Sequence, residues 1–451
     1  MKQTAMKHTL LVCMLAASPL AAKPEFRAGT ARVDITPDGP IWMSGYANRD
    51  HPSEGVLASL YAKALALDDG KGTRVVILTT DLIGLPRTIT DAVSARAMKQ
   101  YGLERSGILF NSSHTHTGPV VRENLSTMYD LSAQEDARLK EYAEKLTGKL
   151  FTVLGAALGN LAPAQLEFGQ SRAGFAINRR EFTPDGVKLG LAPKGPVDHS
   201  VPVLAVRGQD GKFKAVLFGY ACHNTTLAHY MISADYAGYA QAAVEKAHPG
   251  AQAMFLLLCG GDQNPNPRRT DALAEQHGQA LAASVEQVLA LARREPVRAP
   301  IKAAYQVTTL RFAVHTREQF EKEAKDANVF KARRAKQMLA QYAERRERRS
   351  TPYPVQAIRF HKDLTILALG GEVVVDYALR AKKENPNERL VVAGYSNDVM
   401  CYIPSLRVLK EGGYEANDSM VYYGMPGPFA EDVEETIFQA IRGVLKRVGV
   451  K

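Results

Sequence analysis

Cysteine is scarce in this chain, with four in 451 residues. Cys13 falls in a leader-like N-terminal segment, which leaves Cys222, Cys259 and Cys401. An odd number excludes complete intramolecular pairing. Each of the three closes an apolar run, the usual setting of a small buried residue. One disulfide plus one free thiol is the alternative in an oxidising compartment. Long apolar stretches are missing beyond the leader, which excludes a transmembrane helix in the remaining chain. There is no internal repeat and no low-complexity tract. No basic stretch is interleaved with aromatic platforms, so no nucleic-acid partner is expected.

What is present is ordinary globular composition, 45% hydrophobic and 23% charged. The formal net charge is +10 and the pI about 9.2. That balance favours association with an acidic surface, either nucleic acid or anionic lipid, and is specific to neither. Lys2 and Lys7 precede the short apolar run from Thr9 to Ala17, and small residues follow to Ala22. Residues 1–22 therefore read as a signal peptide, with a periplasmic or secreted mature protein. Val12 before Cys13 argues against a lipoprotein box. Residues 23–451 read as one domain.

Strand-like and helix-like stretches alternate almost to the end. Arg74–Leu78, Ile108–Phe110, Ala215–Phe218, Met254–Leu258, Leu364–Leu369 and Leu390–Val392 are continuous apolar runs, as in strands buried on both faces. Helical periodicity covers roughly 90–101, 133–157, 237–247 and 271–293. A last helix starts near Ala430, with Val433, Ile437, Ile441 and Val444 on one face. The expected class is α/β, a mixed and largely buried sheet with flanking helices. Residues 317–349 are dense in Lys, Arg and Glu, without Pro or Gly. They read as an inserted charged helical segment, a long helix or a helical hairpin, and most simply as a solvated surface element.

Several of the strand-like runs stop at polar clusters. Ile108–Phe110 runs into Ser112, Ser113, His114, Thr115 and His116; Ala215–Phe218 into Cys222 and His223; Met254–Leu258 into Asp262 and Asn264. Leu364–Leu369 runs into Gly370, Gly371 and Glu372, and Leu390–Val392 into Asn397 and Tyr402. Ligands of α/β proteins bind beyond the carboxyl ends of buried strands. His114 and His116 would lie on one face of a strand. Imidazole is the commonest metal ligand and suits zinc, although paired core histidines are also frequent. Glu372 reads either as a ligand or as a first-turn acid of a following helix. Tyr402 alone carries no signal.

Together these segments resemble the neutral/alkaline ceramidase family, from about Gly29 to Glu415. Ser112-Ser113-His114-Thr115-His116-Thr117-Gly118-Pro119 is similar to that family's T-H-T-H-S-G-P. Tyr220-Ala221-Cys222-His223-Asn224-Thr225-Thr226 is similar to F-A-x-H-G-T-S, Ser233-Ala234-Asp235 with Gly238-Tyr239-Ala240 to S-x-D-N-K-G-Y-A, and Gly261-Asp262-Gln263-Asn264-Pro265-Asn266 to G-D-V-S-P-N. Gly370-Gly371-Glu372, Ala393-Gly394-Tyr395-Ser396-Asn397, Tyr402 and Tyr414-Glu415 follow in the family's order. Near the start, Asp34-Ile35-Thr36 and Met43-Ser44-Gly45-Tyr46-Ala47 match as well.

The resemblance implies one catalytic Zn2+ per chain, with ligands at His114, His223, Glu372 and Tyr402. It places His116 as a substrate-polarising group, Arg179 of Asn178-Arg179-Arg180 as the site arginine, and Tyr414 as a further site tyrosine. Asn264 stands where the family has its catalytic serine, so a serine nucleophile is not expected here. The chain stops about where the family's immunoglobulin-like C-terminal domain would begin, which leaves an amide or ester smaller than ceramide open. The expected activity is an exported zinc-dependent amidohydrolase acting on linear N-acyl substrates, with metal-activated water as nucleophile. Arg179, His116 and Asn264 would stabilise the oxyanion, and Asp235 or Asp262 would orient a histidine ligand. A true neutral ceramidase acting on membrane sphingolipid, a zinc esterase or deacetylase, and a non-catalytic surface-binding protein are the alternatives.

Overall fold

Asn111 ties together the two ends of a nine-stranded sheet. The computed structural model describes residues 25–121, 123–292 and 294–450; the signal peptide expected at 1–22 lies outside them. The sheet runs in the order Gln252–Leu257, Phe213–Tyr220, Ser200–Gly208, Ala162–Arg172, Phe26–Asp34, Tyr61–Asp68, Arg74–Thr80, Ile108–Ser112, with Glu295–Val297 paired to Ala162–Arg172. Its first and last strands approach each other. The Asn111 amide donates to Leu257 O (3.1 Å) and accepts from Leu257 N (2.8 Å), so one side chain substitutes for a missing ladder. It also donates to Gly394 O at 2.8 Å, which belongs to a loop of the second sheet.

That second sheet has the order Ile301–Arg311, Ser350–Phe360, Leu364–Leu369, Leu390–Ala393. Leu65, Ile77, Leu217, Leu256, Ile358 and Ile366 meet in one core shared by the two sheets. Residues on the alternate faces of these strands enter two other cores with the helices. This double burial explains why the strand sequences are continuously apolar rather than alternating. Arg87–Tyr101 and Ala133–Gly159 cover one flank of the large sheet, and Asp235–Ala247 with Asp271–Leu289 cover the other. Val433–Arg447 lies on the second sheet. Its Val433, Ile437, Ile441 and Val444 are all buried, each contributing roughly 1.5–3 kcal/mol relative to exposure. The expected mixed α/β fold with flanking helices is the one observed.

The charged segment forms two helices, Arg317–Glu323 and Val329–Ala343, between strands Ile301–Arg311 and Ser350–Phe360. Phe320, Ala335 and Met338 make a small core of their own. Cys222, Cys259 and Cys401 are buried and unpaired. None of the helices among the described residues is long and apolar enough to cross a membrane.

The pairs Arg74–Thr80/Ile108–Ser112, Phe213–Tyr220/Gln252–Leu257 and Leu364–Leu369/Leu390–Ala393 are parallel. Four of these six strands supply His114, His223, Asp262 and Glu372 in the stretches just after their carboxyl ends.

Candidate metal centre

The strand carrying the first motif ends at Ser112, and His114 adopts a left-handed conformation with φ 61°. The expected strand geometry for His114 and His116 is therefore corrected. Their rings meet because the chain turns, centroids 4.8 Å apart and nearly perpendicular. A side-chain-bearing residue in this region costs on the order of 1–3 kcal/mol, so the surroundings must enforce it. His114 N donates to Leu82 O at 2.8 Å, and Tyr395 packs its ring 4.6 Å from the imidazole. Tyr395 is itself left-handed, φ 50°.

Glu372 is likewise not a first-turn helix acid. It lies in the two-residue strand Glu372–Val373, and the next helix begins at Asp376. That strand pairs in parallel with Tyr402–Ile403, Glu372 directly opposite Tyr402. Gly371 makes the approach, at φ 73°; a Cβ there would sit 2.5 Å from Ile403 Cγ1 and 2.7 Å from Cys401 O.

The four expected ligands converge. Glu372 Oε2 lies 2.9 Å from His114 Nε2 and 3.1 Å from His223 Nε2, and His223 Nε2 lies 3.1 Å from Tyr402 Oη. All four residues are buried. The other ring nitrogen of each histidine is committed: His114 Nδ1 donates to Ile83 O at 2.5 Å and His223 Nδ1 to Gly260 O at 2.7 Å. A carbonyl can only accept, so each Nδ1 carries a proton and Nε2 is the ring nitrogen turned inward toward Glu372. Burial, followed by the charge of Arg179, pushes the His223 pKa down to about 4, so this ring is neutral at pH 7. Two imidazole nitrogens, a carboxylate oxygen and a phenol oxygen directed at one point are the donor set of a divalent cation site with mixed N/O ligation.

His116 offers a second, overlapping set. His114, His116 and His223 bring ring nitrogens within 4.8 Å of one another and could hold an ion by themselves. His116 Nε2 lies 3.1 Å from His114 Nε2, while His116 Nδ1 is buried without a partner. Burial pushes the His116 pKa well below its ordinary value, reinforced by the two neighbouring histidines. A Cβ on Gly45 would fall 2.3 Å from His116 Nδ1, so only glycine fits against that ring.

Arg179 crosses the site as a buried brace. Its Nε donates to Glu415 Oε1 at 2.8 Å, Nη1 to Asn264 Oδ1 at 3.2 Å and Nη2 to Tyr402 Oη at 2.9 Å. Burial raises the Tyr402 pKa, and the Arg179 charge opposes that rise. Asn264 Oδ1 also accepts from Thr225 Oγ1 at 3.3 Å. Arg179 can only donate, so the Asn264 oxygen must face it and the amide nitrogen must face away. The Tyr414 ring stands 5.4 Å from Tyr402, with the Arg179 guanidinium 5.6 Å from its centroid.

Neither Asp235 nor Asp262 touches a histidine, contrary to the expected orienting role. Asp262 accepts from Val375 N at 2.8 Å and Asn178 Nδ2 at 2.9 Å, and Asp235 accepts from Leu227 N at 2.8 Å. They fasten loops, and backbone carbonyls orient the imidazoles instead. Burial lifts both carboxyls to about 6.

Three contributors escaped the sequence reading as site residues. Tyr423 hydrogen-bonds Glu372 Oε1, the oxygen turned away from the histidines. Glu415 accepts from Arg179 and from Arg180 Nη1 at 2.6 Å. Tyr46 packs edge-on to His116, centroids 4.9 Å apart. The motifs quoted above include Glu415 and Tyr46, but Tyr423 has no sequence signal.

The family described as neutral/alkaline non-lysosomal ceramidase, N-terminal, matches residues 26–287. A neutral ceramidase of Drosophila pseudoobscura pseudoobscura is 24% identical over 263 residues, 54% of this chain and 37% of that protein. Neutral ceramidase 2 of Arabidopsis thaliana is 32% identical over 94 residues, 20% of this chain and 12% of that protein. The chain thus spans little more than a third of the length of the fly relative. The crystal structure of neutral ceramidase from Pseudomonas aeruginosa superposes with a TM-score of 0.70 at 18% identity, covering 95% of this chain and 75% of that one.

Proposed function

The chain belongs to the neutral/alkaline non-lysosomal ceramidase family, and from that premise we propose that it is a zinc-dependent hydrolase of linear amides acting on N-acyl substrates. The observation that carries this reading is the meeting of His114, His223, Glu372 and Tyr402, from four separated segments, at 2.9–3.1 Å contacts. A zinc ion held by these four residues would supply Lewis acidity and an acidified water as nucleophile.

The chain's own residues do the rest. The buried donors keep bulk water from the reacting centre, which strengthens every charge interaction there. Glu415 fixes the Arg179 guanidinium, and Arg179 fixes the Asn264 amide. Asn264 Nδ2 and Arg179 then present N–H groups to the carbonyl oxygen as it gains charge. His116, neutral because it is buried, polarises the same carbonyl through a ring N–H. Tyr414 lines the substrate side of Arg179. This route needs no hydroxyl at position 264. Asp235 and Asp262 support it by holding the loops around His223 and Asn264.

Hydrolysis of a panel of ceramides, N-acyl amino acids and acetylated sugars, with matched O-acyl esters, tests the assignment. Amides cleaved, with activity abolished by a chelator and restored by zinc, is the expected result. Ester cleavage alone points to the esterase or deacetylase reading. No turnover by metal-loaded protein contradicts the enzyme reading and leaves a surface-binding protein.

A specific observation favours a lipid amide. The hairpin of Ala176–Thr183 and Gly186–Ala192 has Arg179 near its base and leaves Phe182, Leu189 and Leu191 68%, 50% and 53% exposed. The pairs Phe182/Val187 and Arg180/Leu189 put Phe182 and Leu189 on one face. We therefore propose peripheral contact of this face with a lipid surface, anionic in view of the +10 charge. Faster cleavage of the same amide in acidic vesicles than in dispersed form is expected, and equal rates would count against it. Export through residues 1–22, and a single catalytic domain over 23–451, complete the proposal.

A further inference from the structure

Asn264 is followed closely by two adjacent arginines, Arg268 and Arg269. Among the described residues neither side chain makes an ion pair or a hydrogen bond. Arg179 and Arg180, by contrast, share Glu415. The backbone that carries Arg269 is nevertheless fixed. Arg269 sits at φ 97°, a region that strongly favours glycine, and its N–H donates to Thr226 O at 2.7 Å. Non-glycine residues at such angles gather at functional sites, where the surroundings over-determine them.

The Tyr46 ring links Arg269 to the reaction centre. The Arg269 guanidinium lies 5.2 Å from the Tyr46 ring centroid, and the Tyr46 ring stands 4.9 Å from His116. Arg268 is partly buried and feels the like charges of Arg269 and Arg179. Glu415 and Glu411 together balance Arg179 and Arg180, so the unbalanced positive charge beside the site is that of Arg268 and Arg269. A guanidinium held over an aromatic face by its charge spends no N–H group on that contact, which leaves the fork geometry that matches an oxyanion.

We propose that Arg268 and Arg269 form an oxyanion subsite, and that the substrate amide carries a carboxylate near its scissile bond, as an N-acyl amino acid does. The scissile amide rests on the hydrolase reading above; the anion subsite does not. The carboxylate sits on either the amine half or the acyl half of the substrate, and the experiment separates the two.

The test is calorimetric binding to zinc-loaded protein of three ligands: N-hexanoylglycine, the mono-N-butylamide of adipic acid, and the uncharged N-hexanoylethanolamine. Wild type is expected to bind one of the two carboxylates at least tenfold more tightly than the uncharged amide. The preference should fall below threefold in the Arg268→Gln/Arg269→Gln double variant. Which carboxylate is preferred identifies the half that carries the charge. Each preference is a ratio within one preparation, so partial misfolding of the variant cancels. Absence of preference in wild type, or a preference undiminished in the variant, overturns the subsite; the latter assigns the carboxylate to the metal or Arg179. Selective binding without hydrolysis would contradict the hydrolase reading and leave the subsite standing.

Discussion

Glu372 and Tyr402 are opposite partners in a parallel ladder only two residues long. Neighbours across a parallel ladder project to the same side, so the pairing itself delivers a carboxylate and a phenol to one point. Thirty residues of sequence separate them, and no local pattern announces the contact. The two histidines come from other loops, each locked by a backbone carbonyl.

Replacing any one of these four ligands should empty the site. In His114→Ala, His223→Ala and Glu372→Ala, zinc content by elemental analysis is expected to fall well below one per chain. His116→Ala should retain the ion and lose mainly kcat. Metal loss in His116→Ala together with retention in Glu372→Ala would favour the three-histidine set instead.

Tyr423→Phe should weaken metal binding without altering a ligand. The change leaves Glu372 Oε1 buried without the hydroxyl that holds it. Groups that orient metal ligands contribute typically 10–100-fold to affinity, and chelator competition would read that loss. An unchanged affinity shows that the carboxylate is positioned by its ladder alone.

Asn264→Ala should lower kcat by roughly 100-fold, the usual effect of removing one oxyanion donor. KM should change little. A loss confined to KM would make Asn264 a ground-state binding group.

Glu415 makes stability depend on acid. Burial opposes its charge, but Arg179 and Arg180 prevail and hold its pKa below the ordinary 4.5. Its stabilisation is therefore complete above that value and is lost as pH falls through the lowered folded pKa. Removing one member of a buried ion pair costs about 3–5 kcal/mol. Glu415→Gln should show a large Tm deficit at pH 7 that narrows toward pH 3. A pH-independent deficit would mean that the charge does not matter.

Asp398 has the opposite sign. Burial raises its pKa to about 7, so the folded state binds this proton more tightly than the unfolded chain. Its ionisation costs stability progressively as pH rises from about 4 to about 7. Asp398→Asn keeps an acceptor for Arg87 N. It should raise Tm more at pH 8 than at pH 5, and an equal gain at both would contradict the assignment.

Much of this was legible because the strands are buried on both faces. Ile108–Ser112, Phe213–Tyr220, Gln252–Leu257, Leu364–Leu369 and Leu390–Ala393 read directly as apolar runs, and the polar clusters after them mark one end of the fold. Ala162–Arg172, with alternating burial and an internal Gly169, gave no comparable run. The hairpin carrying Arg179 was hidden because its outer strand, Gly186–Ala192, is mostly exposed. His114 turning left-handed depends on Leu82, Ile83 and Tyr395, which lie far away in sequence. Tyr423 lies just beyond the short 3-10 turn Asp418–Val421, where no periodicity exists to read.

The central claim is that one ion is held by four named side chains. Anomalous diffraction at the zinc edge from crystals of the purified protein tests it most directly. The account predicts a single strong peak within about 2.0–2.2 Å of His114 Nε2, His223 Nε2, a Glu372 oxygen and Tyr402 Oη. A peak elsewhere, or one coordinated by His114, His116 and His223 with Glu372 and Tyr402 out of reach, would contradict it.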